Sequence, residues 1–142
     1  SVTDETLSRW PALYVTWKEA RDLCQSMQKR LPTEAEWEKA ARGTDGRVYP
    51  WGDQFDPRKC NSVEGQVYRT TPVGLFPTGV SPNGIFEASG NVWEWTSSAE
   101  GKDKIARGGS YGGSADGLRA AVRYWVEPDD WNSYLGFRLV RE

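Results

Sequence analysis

Few side chains in this chain have the types and spacing that catalysis requires. Among 142 residues there are two cysteines, Cys24 and Cys60, and no histidine. Without histidine the chain cannot build a Ser-His-Asp or Cys-His nucleophile pair, a histidine general base or a histidine metal site. The cysteines are too far apart for a CxxC motif, so we expect a buried thiol at Cys24 and a loop thiol at Cys60, with one disulfide as the alternative. Asp129 and Asp130 are the nearest pair of acids, but adjacent acids in a loop are usually only solvated.

Tryptophan is the unusual residue of the composition. There are eight tryptophans, and so many large rings imply a use either in the core or on a binding surface. The net charge of -2 excludes polyanion binding by bulk charge, so we expect no nucleic-acid partner. The chain has no apolar run of about 18 residues, so we expect no membrane insertion by this chain. It begins with Ser rather than Met, and we expect either a processed product or a piece of a fused or longer protein.

Two helices are predicted near the start of the chain. Thr16 with Glu19, and Thr33 with Glu36, form the T-x-x-E pattern of a capping box. Apolar residues follow each box at helical spacing. Pro32 prevents continuation of the first helix, and Gly43 ends the second. The sequence therefore predicts helices over residues 16–30 and 33–42.

The rest of the chain predicts a long loop followed by strands. Turn residues are dense from Thr44 to Gly90, and a loop of this length inside a domain is normally functional or stabilised by an ion. Short antiparallel strands are predicted after it. Helices followed by strands indicate an α+β architecture. The predicted strands are Val92–Thr96, Lys104–Gly108, Leu118–Arg123 and Gly136–Val140.

Six segments, in order, resemble the formylglycine-generating-enzyme, or sulfatase-modifying-factor, domain family. The resemblance implies a variant of the C-type lectin fold with long irregular loops, a small mixed sheet and the two helices packed beside it. We assign residues 14–142 to this domain and residues 1–13 to an N-terminal extension. The segments are RLPTEAEWEKAARG (30–43), YPWGD (49–53), TTPVGLFPTGVSPNGIFEASGNVWEWTSS (70–98), RGGSY (107–111), LRAAVR (118–123) and LGFRLV (135–140).

Catalytic members of the family bind a metal that this chain has no residues to hold. Some oxidise a substrate cysteine with copper on two cysteines that follow the RGGS motif, and soft copper(I) prefers thiolate sulfur. Here residues Tyr111–Leu118 contain no cysteine. Others are iron-dependent sulfoxide synthases with histidine ligands, which this chain also lacks. The resemblance therefore implies no copper or iron and no enzymatic activity. The alternative is a formylglycine-generating oxidoreductase of sulfatase maturation, or an accessory subunit of one.

The resemblance also implies structural calcium, which prefers carboxylate, amide and carbonyl oxygens. One family site maps to Glu87, Glu94 and the carbonyls of Gly90 and Val92. A second maps to Asn61 and the carbonyl of Ser62. The alternative for Glu94 is a buried carboxylate that hydrogen-bonds neighbouring loop amides.

Non-catalytic relatives bind ligands, and they include the variable proteins of diversity-generating retroelements. In this chain aromatic, Gly, Ser and Asn residues lie between scaffold positions, as in an antibody paratope. Our leading hypothesis is a domain that binds a protein or glycan ligand on this face. The tryptophans of the family motifs and Trp17 are expected in the core, and at least one of Trp125 and Trp131 at the surface. The predicted face comprises Tyr111, Gly112, Gly113, Ser114, Tyr124, Trp125, Val126, Asp130, Trp131, Asn132, Ser133 and Tyr134.

Overall fold

A computed structural model describes residues 12–139 of the chain. Most of the expected N-terminal extension, including Trp10, lies outside the described residues, as does Val140 of the last predicted strand. Leu13 forms an antiparallel bridge with Gly136, so the start of the described chain is joined to its end. Within residues 12–139, no helix is both long enough and apolar enough to cross a membrane.

Helix α1, Trp17–Ser26, starts as predicted but ends early. The Thr16 hydroxyl accepts the Glu19 amide at its N-terminus, as the capping pattern requires. The predicted end at residue 30 is wrong because Gln28 has a left-handed backbone, with φ at 57°. The turn lets the amides of Met27 and Lys29 satisfy the carbonyl of Cys24, which closes the helix.

Helix α2, Glu34–Arg42, matches its prediction to within one residue. Both halves of the capping box form between Thr33 and Glu36, at 3.2 and 2.8 Å. Gly43, with φ at 70°, ends the helix. The capping box and Gly43 are therefore sufficient to predict both ends of α2 from the local sequence.

Four strands form a mixed sheet, namely β1 Trp93–Glu100, β2 Asp103–Arg107, β3 Arg123–Val126 and β4 Leu135–Gly136. Their order in the sheet is β3-β2-β1-β4. The first three strands pair antiparallel and β4 pairs parallel with β1, so the sheet is mixed, as the family resemblance implied.

Two of the predicted strands differ most from the structure. The strand predicted at Leu118–Arg123 is wrong, because Ala115–Leu118 is a 3-10 helix. The Ala120 amide then donates to the carbonyl of Val48 in the long loop rather than to a strand. The strand predicted at Gly136–Val140 starts one residue earlier, and among the described residues it comprises only Leu135–Gly136.

The long loop is tied to the start of β1 by two buried asparagines. Asn91 Oδ1 accepts the Thr71 amide at 2.9 Å and the Asn61 side-chain amide at 3.1 Å. The Gly90 backbone lies so close that a Cβ there would be 2.3 Å from the Asn61 carbonyl oxygen, so only glycine fits. The loop therefore has a fixed path without regular secondary structure.

Tryptophan serves the core largely as expected. Trp95 is fully buried between α1 and the sheet, and Trp37 is buried beneath α2. Three more tryptophans are half-buried and pack against the edges of the core clusters, namely Trp17, Trp51 and Trp93. Both cysteines are free and buried, so the predicted disulfide alternative does not occur.

Arg107 is a fully buried cation at the end of β2. Its guanidinium pairs with Glu34 and Glu38 of α2 and donates to the carbonyl of Ala120 at 2.8 Å. It also lies 5.5 Å from the ring centroid of Trp37. Burial raises the pKa of Glu38, but the hydrogen bond and charge of Arg107 outweigh it, so the pKa lies below its usual 4.5.

Replacing this cation should weaken the fold. We expect Arg107→Met to lower the free energy of unfolding by about 3 kcal/mol, because two carboxylates and a carbonyl lose a buried partner. A carboxyl whose pKa is lowered on folding stabilises the protein above its unfolded pKa, and that contribution is lost as the pH falls through the folded value. The variant should therefore show a smaller loss of stability on acidification than the wild type, measured by urea unfolding at neutral and acid pH.

Arg58→Met is the matched control, because Arg58 pairs with Asp56 through a side chain that is 87% exposed. We expect it to change stability far less than Arg107→Met does, because a pair in solvent is screened by water. Equal effects of the two substitutions would contradict a special role for Arg107.

Candidate ligand-binding groove

A groove of about 340 Å³ opens beside β1, where the segment after β2 meets β3 and the residue before β4. Among the described residues its lining carries no charged side chain. Three aromatic rings form its walls, and three glycines and a serine form the rest. The lining residues are Trp93, Tyr124, Tyr134, Ser110, Gly112, Gly113 and Gly117.

The sheet positions the aromatic walls. Trp93 on β1 and Tyr124 on β3 have ring centroids 4.9 Å apart, at an interplanar angle of 45°. The Trp93 amide donates to the Tyr134 carbonyl at 2.8 Å, which fixes the third ring next to the strand. The pKa of Tyr124 is raised, mainly because the ring is partly buried. The hydrogen-bonded neighbour Tyr134 and the charge of Asp130 raise the pKa of Tyr124 further. Its hydroxyl therefore stays protonated and neutral at physiological pH.

Hydrogen bonds hold the glycine-rich side of the groove. The Tyr111 amide donates to the Asn91 carbonyl at 2.9 Å, and its hydroxyl bonds the Ser133 hydroxyl at the same distance. The Gly113 carbonyl accepts the Val63 amide at 3.0 Å. The loop that follows RGGS is thus anchored at both of its sides, and the groove is preformed.

Four residues of the predicted face line this groove, namely Gly112, Gly113, Tyr124 and Tyr134. The other eight residues of the predicted face are not in the lining of the groove. Tyr111 and Ser133 are hydrogen-bonded to each other, and Asn132 accepts the Tyr134 amide. Ser114 occupies the N-cap position of the 3-10 helix without a capping side-chain hydrogen bond. Asp130 is exposed and acts on Tyr124 only through its charge.

Three of the eight predicted residues that do not line the groove pack elsewhere. Val126 is 3% exposed and packs in the main core, so its assignment to the binding face is wrong. Trp125 and Trp131 are 47% and 61% exposed, which confirms that at least one of them is at the surface. However, Trp125 alternates to the opposite face of β3 from Tyr124, where its indole N–H donates to Glu100. Trp131 instead packs edge-on against Tyr14, with ring centroids 5.9 Å apart.

Sequence reasoning missed Trp93, Ser110 and Gly117 as lining residues. Trp93 was assigned to the core because it lies in a family motif. The alternation of Trp93, Glu94 and Trp95 does place both tryptophans on one face of the sheet. Only the position of Trp93 next to Tyr124, which depends on long-range pairing, shows that its ring borders a groove.

Two of the residues predicted to bind calcium have side-chain oxygens that could coordinate a cation. Glu87 Oε2 and Asn61 Oδ1 are buried and have no hydrogen-bond partner within the described part of the chain. Burial is the main cause of a raised pKa for Glu87, and the amide of Gly74 and the charge of Arg138 offset it only in part. Glu94, in contrast, is buried and accepts the guanidinium of Arg138 on both oxygens, so it is the hydrogen-bonded carboxylate of the alternative, but its partner is a distant arginine and not the neighbouring loop amides.

Backbone oxygens would have to complete either cation site. Across residues 12–139, no three His, Cys, Asp or Glu side chains come together as a metal cluster. Gly90 and Asn61 pair through a backbone bridge, so the two candidate sites adjoin. The sites would therefore depend on carbonyls such as those of Gly90, Val92 and Ser62.

The thiols do not fit a copper site. Cys24 lies in the core beneath α1, and Cys60 packs with Tyr49 and Leu118 in a separate core cluster. Burial raises the pKa of both thiols, to about 12 for Cys60, so each stays protonated near neutral pH. Neither cysteine is in the lining of the groove.

The fold and the groove define a small α+β domain of the C-type-lectin kind, with a groove beside its mixed sheet. The chain belongs to the sulfatase-modifying factor enzyme 1-like domain family, whose model matches residues 1–142. Two relatives illustrate the range of the family. The inactive C-alpha-formylglycine-generating enzyme 2 of Bos taurus is 38% identical over 92% of this chain and 50% of its own. The formylglycine-generating enzyme of Mus musculus is 35% identical over 95% of this chain and 45% of its own.

This chain spans about half the length of these curated relatives. Two solved structures share its fold at low identity. PvdO from Pseudomonas aeruginosa aligns with a TM-score of 0.82 and 23% identity, over 92% of this chain and 61% of its own. Treponema denticola variable protein 1 aligns with a TM-score of 0.81 and 21% identity, over 92% of this chain and 70% of its own. At these identities the likeness shows the fold alone.

The two exposed tryptophans should be dispensable for folding. We expect Trp125→Ala with Trp131→Ala to lower the free energy of unfolding by less than about 1 kcal/mol, because the rings are 47% and 61% exposed and make only surface contacts. Val126→Ala should cost about 2 kcal/mol, because it removes buried methyl groups and leaves a cavity. Urea unfolding of both variants checks this, and a larger loss in the double variant would place those rings in the core.

Proposed function

We propose that this chain is a non-catalytic domain that binds a protein or glycan ligand in the groove beside β1. The observation that carries the proposal is the lining of the groove, which is aromatic, hydroxyl-bearing and uncharged. It offers surfaces for binding but no thiolate, histidine or carboxylate to move a proton or electron. A variable protein of a diversity-generating retroelement is the most specific form of this proposal, and the shared fold of the Treponema denticola variable protein supports it.

The physical mechanism is equilibrium binding to a rigid surface. Tyr124 and Trp93 are fixed by strand pairing and by their contact with each other. The glycine-rich side is anchored by the bonds of Tyr111 and Gly113. A preformed site loses little conformational entropy when a ligand binds, so a few aromatic contacts suffice for affinity.

The second candidate function is that of a formylglycine-generating oxidoreductase or an accessory subunit of one. Relatives named as active enzymes support it, and so does the match to only part of their length. The residues of this chain argue against the oxidase itself, because both thiols are buried, protonated and outside the groove. An accessory role would require a partner to supply the catalytic centre.

The oxidase alternative can be tested directly. With copper and a peptide carrying the CxPxR sequence, we expect oxygen consumption at the rate of the protein-free control, because no pair of thiolates is available in the groove. The double variant Cys24→Ser with Cys60→Ser serves as the matched control and should behave as the wild type does. Oxygen consumption that is coupled to aldehyde formation and lost in the control would contradict the non-catalytic proposal.

We also propose that calcium stabilises the long loop without taking part in catalysis. Glu87 Oε2 and Asn61 Oδ1 supply the free buried oxygens, and carbonyls complete the coordination. When bound, the ion would compensate the charge of Glu87 and connect the loop to the start of β1. Its role would be to hold the loop path on which the groove depends.

Calcium should therefore raise the thermal stability of the wild type. Ligand binding at about 100 times Kd adds about 2.7 kcal/mol to the free energy of unfolding. We expect a higher Tm in CaCl2 than in EDTA, and we expect Glu87→Gln to lose that difference. Glu127→Gln is the control, because Glu127 is exposed and should keep the full response. An equal Tm for the wild type in both buffers would contradict calcium binding.

A further inference from the structure

We propose that the groove beside β1 binds an uncharged hexopyranose ring, and that Gly112 and Gly117 determine this specificity by keeping the groove free of side chains. The inference rests on the proposed function and deepens it. It specifies a glycan as the ligand, and it names Gly112 and Gly117 as the residues that keep the groove open to the sugar ring. Its basis is the chemistry of the lining together with the backbone geometry of the glycines.

The lining matches the two kinds of surface that a sugar ring presents. A pyranose has faces of C–H bonds, which pack on the negative face of an aromatic ring, and a rim of hydroxyls. Trp93 and Tyr124, tilted at 45° to each other, supply the aromatic walls. Ser110 and the two tyrosines supply hydroxyls, which keep hydrogen-bonding capacity beyond the Gly112 amide that Ser110 accepts and the bond that the two tyrosines share. Such groups match sugar hydroxyls, which donate and accept in the same way.

The size and charge of the groove favour a small neutral ligand. Its volume of about 340 Å³ is at the lower end of the range for small-molecule pockets. No charged side chain is among its lining residues in the described chain. A phosphate, carboxylate or ammonium group would therefore enter without an opposite charge to replace its water.

Gly112 and Gly117 have no structural need to be glycine. Neither has a left-handed φ, and a Cβ on Gly117 would meet no atom within 4 Å. A Cβ on Gly112 would approach only the Ser110 hydroxyl, at 3.9 Å, which is an ordinary contact. Gly113 differs, because a Cβ there would be 2.9 Å from Leu118. Glycine costs backbone entropy on folding, so its use at the two permissive positions is explained by the open space it leaves in the groove.

A protein side chain is the competing occupant, since a tyrosine ring could also pack on the exposed surface of these aromatic rings. The hydroxyls favour the sugar. A single aromatic ring offers at most one hydroxyl, whereas a hexopyranose offers several around its rim to Ser110, Tyr124 and Tyr134. A probe of each kind separates these two occupants.

The experiment is an NMR titration of the 15N-labelled chain with methyl α-D-mannopyranoside and methyl β-D-glucopyranoside. We expect the amide resonances of Gly112, Gly113 and Gly117 to shift with at least one sugar. The amide of Gly65 should not respond, because Gly65 is not part of the lining. N-acetyl-tyrosine amide is titrated in parallel as the probe for a protein side chain.

The variant Gly117→Leu should weaken sugar binding by at least about tenfold while keeping the wild-type Tm. Gly65→Leu is a close match as a control. Gly65 also lies in a 3-10 helix and donates its amide three residues back, and a Cβ added there would meet no atom within 4 Å. It should bind sugar as the wild type does. If Gly117→Leu fails to fold, Gly117→Ala and Gly112→Ala give the same test with a smaller side chain.

Several results would overturn the inference. Shifts of the groove glycines with N-acetyl-tyrosine amide alone would assign the groove to a protein ligand, and the proposed binding function would stand. No shift with any probe, or equal weakening by Gly65→Leu, would overturn the assignment of a sugar site. Copper-dependent turnover of the cysteine peptide would instead contradict the proposed function itself, whatever the sugars do.

Discussion

The buried guanidinium of Arg107 is the interaction on which the arrangement of this domain depends. It joins three parts of the chain that are distant in sequence, namely β2, helix α2 and the segment before β3. Removing a cation from water is expensive, and two carboxylates, a carbonyl and the ring of Trp37 offset that cost here. Because Arg107 immediately precedes the glycines of the RGGS segment, its position also sets where the groove loop leaves the sheet.

The position of the groove depends on these contacts of Arg107 and on the hydrogen bonds that fix the long loop. Asn91 anchors the loop through Thr71 and accepts the side chain of Asn61, and its carbonyl also receives the amide of Tyr111. A single asparagine thus connects the candidate calcium region with the groove wall. This is a physical reason to expect that an ion in the loop and a ligand in the groove stabilise each other, since both require the same path of the backbone.

Sequence reasoning predicted the features that depend on local interactions. Helix α2 has its capping box and terminal glycine within the segment, so both of its ends followed from the pattern. The end of α1 did not, because it depends on the left-handed backbone of Gln28, which no local residue preference indicates. Strand β3 was placed too early because Ala120 bonds Val48, a partner that is distant in the chain.

The candidate site was predictable to a similar extent. The composition of the Tyr111–Tyr134 segment identified Gly112, Gly113, Tyr124 and Tyr134, which do share one groove. It could not separate Tyr124 from Trp125, because the strand was predicted at Leu118–Arg123, and only the actual strand β3 places their side chains on opposite faces. Val126 was misassigned as well, since its side chain lies in the core that α1 covers.

We propose that the groove after RGGS is a binding site and not a copper-thiolate centre. The most direct measurement is an anaerobic titration with copper(I), followed by the ultraviolet absorption of thiolate-to-copper charge transfer. We predict no such band beyond that of the Cys24→Ser, Cys60→Ser variant, because both thiols are buried, protonated and apart from the groove. A stoichiometric band in the wild type that the variant lacks would contradict this claim.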